Sequence, residues 1–167
     1  DKDTIVDIGC GMGYFTHRLR GKAEKVVGID VSETALAYAR KMWEGMSFYK
    51  ADLLKSESYD QLSFAQKGRS VILIREVVWY IVHQLENVLE RIASSMSNFG
   101  FLIVQQGWPQ LNSSFYGKHY IAEPLIFEQR LKSYFDILTK VEMYNLKRPS
   151  DGPIAHWLLK KKMNLKK

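Results

Sequence analysis

Three glycines at alternate positions, Gly9, Gly11 and Gly13, follow directly on the apolar run Thr4-Ile5-Val6-Asp7-Ile8 and precede helical spacing from Tyr14 onward. The run is β-branched apart from Asp7, which suits a strand buried on both faces of a parallel sheet. Removing every second side chain lets the backbone take positive φ values and approach a ligand closely. A strand, a glycine turn and a helix in this order set backbone N–H groups against a polar ligand at the helix start. Loops between strand and helix are often glycine-rich for purely steric reasons, so the context that follows in the chain has to discriminate.

Twelve residues further on, Lys25-Val26-Val27-Gly28-Ile29-Asp30 reads as a second strand that ends in an acid. A carboxylate at the tip of the second strand can accept two hydrogen bonds from ribose hydroxyls. Dinucleotide-binding folds share this pairing, but their fingerprint places glycine at 9, 11 and 14. Position 14 is Tyr, and the third glycine is Gly13. Val6-Asp7-Ile8-Gly9-Cys10-Gly11-Met12-Gly13, followed by Gly28-Ile29-Asp30-Val31-Ser32, resembles the first two motifs of the class I S-adenosylmethionine-dependent methyltransferases, small-molecule type.

The resemblance implies a doubly wound, mostly parallel seven-stranded sheet of order 3-2-1-4-5-7-6, with the last strand antiparallel and helices on both faces. It implies that Asp7, Gly9, Cys10, Gly11 and Gly13 form the turn around the methionine half of the cofactor. Asp30, with Val31 beside it, takes the ribose. Ala51-Asp52-Leu53 takes the adenine, and the backbone of Arg75 borders the methionine end. Members of the family carry one or two helices ahead of the first strand. Asp1 lies three residues before that strand with no initiator Met, so the expectation is a chain lacking those cap helices, with residues 1–162 as one domain and 163–167 as a basic tail.

Composition matters mainly for what it removes. A chain of 167 residues with 46% hydrophobic content fits one domain with a sizeable core. Its single Cys allows no internal disulfide, which makes a reducing, cytoplasmic setting the default. No apolar run approaches the roughly twenty residues needed to span a bilayer, and no signal peptide is evident. The net charge of +6 points to nucleic acid until its source is located. Lys160, Lys161, Lys162, Lys166 and Lys167 supply five of the 24 basic residues, leaving 19 against 18 acids elsewhere. The basicity is a property of the tail, where lysines are usually solvated, so a nucleic-acid partner is not expected.

Along the chain, Ser32 is a good cap for a helix running to Trp43, with Glu33 in its first turn. Met46 to Ala51 reads as a third strand. Asp7, Asp30 and Asp52 then share the rim formed by the C-terminal strand ends, where ligands of open α/β sheets bind. Residues 55–69 are polar and read as a loop with at most one short helix. Ser70 to Ile74 is a fourth buried strand. Its exit, Arg75-Glu76-Val77-Val78-Trp79-Tyr80-Ile81, resembles the segment after strand four in small-molecule methyltransferases, with Tyr80 where a His often stands. Glu76 is expected to be structural or close to the cofactor. A helix from Gln84 to Ser97, a fifth strand from Phe101 to Gln105 and an irregular stretch to Tyr120 follow. That stretch, which includes Asn112, leaves the ligand rim and is expected to act as an acceptor-side lid. A helix over 121–134 and two strands, 135–146 and 154–161, around the turn Arg148-Pro149-Ser150-Asp151-Gly152-Pro153 complete the chain.

By resemblance and position, Trp79, Tyr80, Trp108, Tyr116 and His119 are the candidates for contacting the acceptor. Tyr80, His83 and His119 are candidates for a base, with no catalytic residue assigned. Methyl transfer from a sulfonium is a direct displacement, so alignment can supply much of the rate without a titrating group. Metal chemistry has little support, because His17, His83, His119 and His156 are scattered and form no ligand-spaced pair. The chain lacks the Pro-Pro-aromatic motif of nucleic-acid amino-methyltransferases, the acid cluster of magnesium-dependent types and the paired acids of protein arginine methyltransferases. It also offers no catalytic Cys of the kind RNA cytosine-5 enzymes need. The expected function is transfer of a methyl group from S-adenosylmethionine to a nitrogen or oxygen of a small-molecule acceptor. Two other classes stay open: action on RNA or protein, and a non-catalytic cofactor-binding partner subunit.

Overall fold

The computed structural model describes residues 3–66, 68–110, 113–147 and 151–163. Asn112, the turn residues Arg148, Pro149 and Ser150, and the lysine tail from 164 onward lie outside the described residues. The strands are β1 (Thr4–Ile8), β2 (Lys25–Asp30), β3 (Ser47–Lys50), β4 (Ser70–Arg75), β5 (Phe101–Gly107), β6 (Phe135–Met143) and β7 (Ile154–Lys161). They form one sheet of order β3-β2-β1-β4-β5-β7-β6. β1 to β5 pair in parallel, and β7 is antiparallel to both β5 and β6. This is the expected sheet, including its order and the inserted last strand.

Register places the site. Ile8 stands opposite Ile29 on one side and Ile74 on the other, so β1, β2 and β4 end at one level. Asp30 and Arg75 are the last residues of their strands and sit one step beyond that level. The core flanks the sheet through side chains such as Leu89, Ile92, Phe127, Phe135 and Trp157, all buried. A smaller cluster of Cys10, Leu36, Ala39 and Phe48 packs beneath the glycine turn.

Among the described residues, five α-helices surround the sheet: α1 (Tyr14–Arg18), α2 (Glu33–Met42), α3 (Val78–Ile81), α4 (Leu85–Ser95) and α5 (Pro124–Tyr134). Ser32 caps α2 as expected, its Oγ accepting from the Ala35 N–H at 3.3 Å. α5 begins later than the spacing predicts, because Pro124 takes the first turn, where its fixed φ fits and its missing N–H costs nothing. Ile121 is buried all the same, within the connection that precedes the helix.

The polar stretch read as a loop contains a 3-10 segment over Ser56–Ala65. Few residues are needed to fix it: Leu62 and Ala65 are buried in the core, and the Tyr59 hydroxyl donates to the Leu53 carbonyl at 2.8 Å. β5 runs two residues past its expected end because Ala155 and Ile154 pair with Gln106 and Gly107. Three of the tryptophans form a chain through the core. Trp79 meets Trp108 edge-on at 5.6 Å between ring centroids, and Trp108 meets Trp157 in the same way at 5.7 Å.

Candidate active site

The three glycines of the turn all have positive φ, at 75°, 54° and 77° for Gly9, Gly11 and Gly13. Their reasons differ. A Cβ on Gly9 would collide with Cγ2 of Val77, and one on Gly13 would lie 2.8 Å from both Phe48 Cζ and Trp43 Cδ1. A Cβ on Gly11 would meet nothing within 4 Å. The outer glycines therefore allow close packing, while the middle one leaves open space. The turn is fixed from outside by the Ile29 carbonyl, which accepts from the N–H groups of Gly9 and Cys10 at 2.8 and 3.0 Å.

Asp30 ties two turns together. Its Oδ2 accepts from the Gly11 N–H and its Oδ1 from the Ser32 N–H, each at 2.8 Å. An ionised carboxylate has about four acceptor positions, so both oxygens keep capacity for a vicinal diol. Asp7 has a different place. It is 2% exposed, and its Oδ2 accepts from Thr16 Oγ1 at 2.6 Å, bracing α1 against β1. Burial pushes its carboxyl above the usual range, against the hydrogen bond from Thr16 and the attraction of Arg75.

A cavity of about 600 Å³ opens along the ends of β1, β2 and β4. Of the expected cofactor residues, Gly9, Asp30, Val31, Ala51, Asp52, Leu53 and Arg75 line it, while Asp7, Cys10, Gly11 and Gly13 do not. Ile8, Ile29, Leu54, Glu76, Val77 and Ile81 line it as well, together with Tyr80, which was expected on the acceptor side. Ile8 and Ile29 were legible as residues at strand ends. Val77 and Ile81 carried a signal in their spacing of four, which a short α3 brings to one face. Asp52 builds the turn beneath the cavity: its Oδ1 accepts from the Leu54 N–H at 3.0 Å and its own N–H donates to Ser58 Oγ at 2.9 Å.

At the exit of β4, the Arg75 guanidinium lies 3.6 Å above the Phe15 ring centroid and its Nε donates to Gln105 Oε1 at 3.2 Å. Glu76 follows at φ 56, and among the described residues it alone takes a positive φ without being glycine. Such a conformation persists only where its surroundings over-determine it. Here they do so through β5. The Glu76 N–H donates to the Gln105 carbonyl at 3.0 Å, and its Oε2 accepts from Gln106 Nε2 at 2.8 Å and the Gly107 N–H at 3.1 Å. Gln106 is itself fully buried, and its Oε1 accepts from the Val78 N–H at 3.0 Å, which fixes the start of α3.

A second cavity of about 570 Å³ is lined by Glu76, Trp79, Tyr80, Pro109, Phe115 and Tyr116. Glu76 and Tyr80 line both cavities. Three of the expected acceptor residues, Trp79, Tyr80 and Tyr116, are brought together here. Trp108 is buried behind them, against Trp79, Phe127 and Trp157. His83 and His119 are exposed, line neither cavity, and His119 packs on Tyr120 at 4.1 Å. Of the base candidates, Tyr80 alone stands at a cavity, with 76% of its surface exposed.

The Cys10 thiol, 9% exposed, is pushed up to about 12, first by burial and then by the charges of Asp7 and Asp30. The thiolate is the reactive form, so its population at neutral pH is very small. Native protein at pH 8 is expected to react with iodoacetamide at least about tenfold more slowly than the denatured chain. Mass spectrometry of the alkylated fraction over time checks this, and equal rates would contradict the buried placement. Among the described residues no group of His, Cys, Asp and Glu is placed to hold a metal ion, and no helix is long and apolar enough to cross a membrane.

Residues 1–148 match the family model for a methyltransferase domain. Over 51 residues the chain is 45% identical to the trans-aconitate 2-methyltransferase of Acidovorax sp. (strain JS42), a stretch covering 29% of this chain and 20% of that protein. The chain thus matches about a fifth of the length of that curated relative. Among solved structures, an S-adenosylmethionine-dependent methyltransferase from Anabaena variabilis aligns over 95% of this chain and 77% of its own, with a TM-score of 0.72 and 18% identity. The N-methyltransferase NodS from Bradyrhizobium japonicum WM9, in complex with S-adenosyl-L-homocysteine, aligns over 95% and 78%, with a TM-score of 0.67 and 17% identity. At these identities the likeness to the two structures is one of fold.

Proposed function

Because this chain belongs to the methyltransferase domain family, we propose that it transfers a methyl group from S-adenosylmethionine to a nitrogen or oxygen of a small-molecule acceptor, with residues 1–162 acting as one domain. The observation that carries this reading is the pair of cavities that meet at Glu76 and Tyr80. The first has the size of ordinary ligand sites and the chemistry of a nucleoside site. Its walls are apolar at Ile8, Ile29, Val31, Leu53 and Ile81, and one carboxylate, Asp30, stands at the end of β2.

The residues fit the cofactor. Asp30 would hold the ribose diol with acceptor positions left over from its two backbone bonds, and the open space above Gly11 admits a chain passing close to the backbone. Ala51, Asp52 and Leu53 would border the adenine, and the backbone at Arg75 the amino-acid end. When bound, S-adenosylmethionine supplies a methyl group activated on a sulfonium. The chain's own contribution is placement: Glu76 and Tyr80, which line both cavities, would border the approach of an acceptor atom. Neither His83 nor His119 is needed for that work. No cluster of basic side chains lines the second cavity, which favours a small molecule over a nucleic acid as acceptor.

Isothermal titration of the purified chain with S-adenosyl-L-homocysteine and, separately, with NAD tests the reading. Binding of the first and not the second is expected. Binding of NAD alone would overturn it. A screen of metabolite pools with labelled S-adenosylmethionine then identifies the acceptor.

A further inference from the structure

We propose that the second cavity recognises an amine that is protonated in solution, with Glu76 as its charge partner and the surrounding aromatic faces as its walls; this rests on the methyl-transfer reading above. Of its six lining residues, four are aromatic, Trp79, Tyr80, Phe115 and Tyr116, and Glu76 is the only charged one. Cations are attracted to the faces of such rings, and the attraction grows as the site loses water. An ionised carboxylate accepts hydrogen bonds and cannot donate, so it selects for N–H donors and repels carboxylate ligands. A neutral hydroxyl would gain one hydrogen bond here but no charge attraction to the carboxylate or the rings.

Glu76 is held for this task. Both of its bonds from β5, from Gln106 Nε2 and the Gly107 N–H, fall on Oε2, leaving Oε1 outside that pair. Gly107 borders the carboxylate closely, since a Cβ at that position would stand in van der Waals contact with both of its oxygens, at 3.5 Å. The left-handed backbone at residue 76 is an unfavourable conformation for a residue with a side chain, and it sits at the junction of the two cavities. The neighbouring cations already have protein partners. Arg75 lies on Phe15 and bonds Gln105, and the Lys118 ammonium donates to the Ser113 carbonyl at 2.8 Å while standing 5.9 Å from the Phe115 ring centroid. An ammonium drawn to Glu76 is therefore held beside the residues that line both cavities, and it must release a proton, to solvent or to the Glu76 carboxylate, before its nitrogen can accept a methyl group.

The test is a set of calorimetric titrations at pH 7 with a panel of primary amines, among them 2-phenylethylamine and 1,4-diaminobutane, each paired with its alcohol isostere. 3-Phenylpropanoate serves as the anionic control. Amines are expected to bind about tenfold more tightly than the matched alcohols, with the carboxylate weakest. Glu76→Gln should remove that advantage while the alcohols change little. Phe115→Leu, a wall substitution that leaves the strained backbone untouched, should weaken the amines about threefold. Amines that bind no better than their alcohols, or not at all, overturn the proposal, as does full amine preference in a folded Glu76→Gln protein. Titrations without S-adenosyl-L-homocysteine judge the cavity alone. Titration with S-adenosyl-L-homocysteine itself judges the methyl-transfer reading, so either can fail without the other.

Discussion

Replacing Gly9 by alanine is expected to lower the free energy of unfolding by roughly 2 to 5 kcal/mol, the sum of left-handed backbone strain and overpacking. The new Cβ would collide with Val77 Cγ2, and the backbone at residue 9 has φ 75. Neither partner can yield easily. Val77 opens the segment that Gln106 fixes from β5, and the N–H groups of Gly9 and Cys10 both bond the Ile29 carbonyl. Gly11→Ala separates the two causes, because its Cβ meets nothing within 4 Å while its backbone is still left-handed. That variant should lose only the conformational part, roughly 1 to 2 kcal/mol. Urea denaturation of the three proteins measures the difference. Equal midpoints for the two variants would mean that the contact with Val77 does not constrain the turn.

Asp30→Ala should weaken binding of S-adenosyl-L-homocysteine by roughly 1.5 to 3 kcal/mol, on the order of ten- to 150-fold, the range for hydrogen bonds to a charged group. Two effects combine in it. The carboxylate no longer accepts from the ribose, and the Gly11 and Ser32 N–H groups lose their acceptor, which loosens the turn on both sides. Asp30→Asn keeps a carbonyl oxygen that can accept from one of those groups, so it should recover thermal stability while leaving most of the affinity loss in place. An affinity unchanged in a folded Asp30→Ala protein would remove Asp30 from the cofactor site.

The parts of this molecule that were legible in the sequence are those set by short-range chemistry. β1, the glycine turn and β2 could be read because continuous β-branched runs, alternate glycines and a terminal acid each have a local cause. The order of the sheet followed from the resemblance those motifs carry. The 3-10 segment at Ser56–Ala65 was hidden because its anchors, Leu62 and Ala65, are sparse among polar neighbours and are fixed by what packs on them from elsewhere in the chain.

The second cavity was less legible for the same reason. Trp108 and Tyr116 look alike as large aromatics in an irregular stretch, yet one is buried in the core and the other lines a cavity. His83 and His119 suggested chemistry by residue type, but they lie exposed and line neither cavity. Glu76 carried no local mark of its left-handed backbone. Its conformation depends on bonds to Gln105, Gln106 and Gly107, residues about thirty positions away that only the β4–β5 pairing brings beside it.

The chain of tryptophans from Trp79 through Trp108 to Trp157 gives the protein a built-in optical reporter. Three of its four indoles stand edge-on at 5.6 and 5.7 Å, close enough for excitation on one ring to be shared with the next. One end of this chain forms a wall of the second cavity and the other is sealed in the core. A ligand laid against Trp79 therefore changes the near-ultraviolet circular dichroism of the whole set, and occupancy of the second cavity can be followed by light without a label.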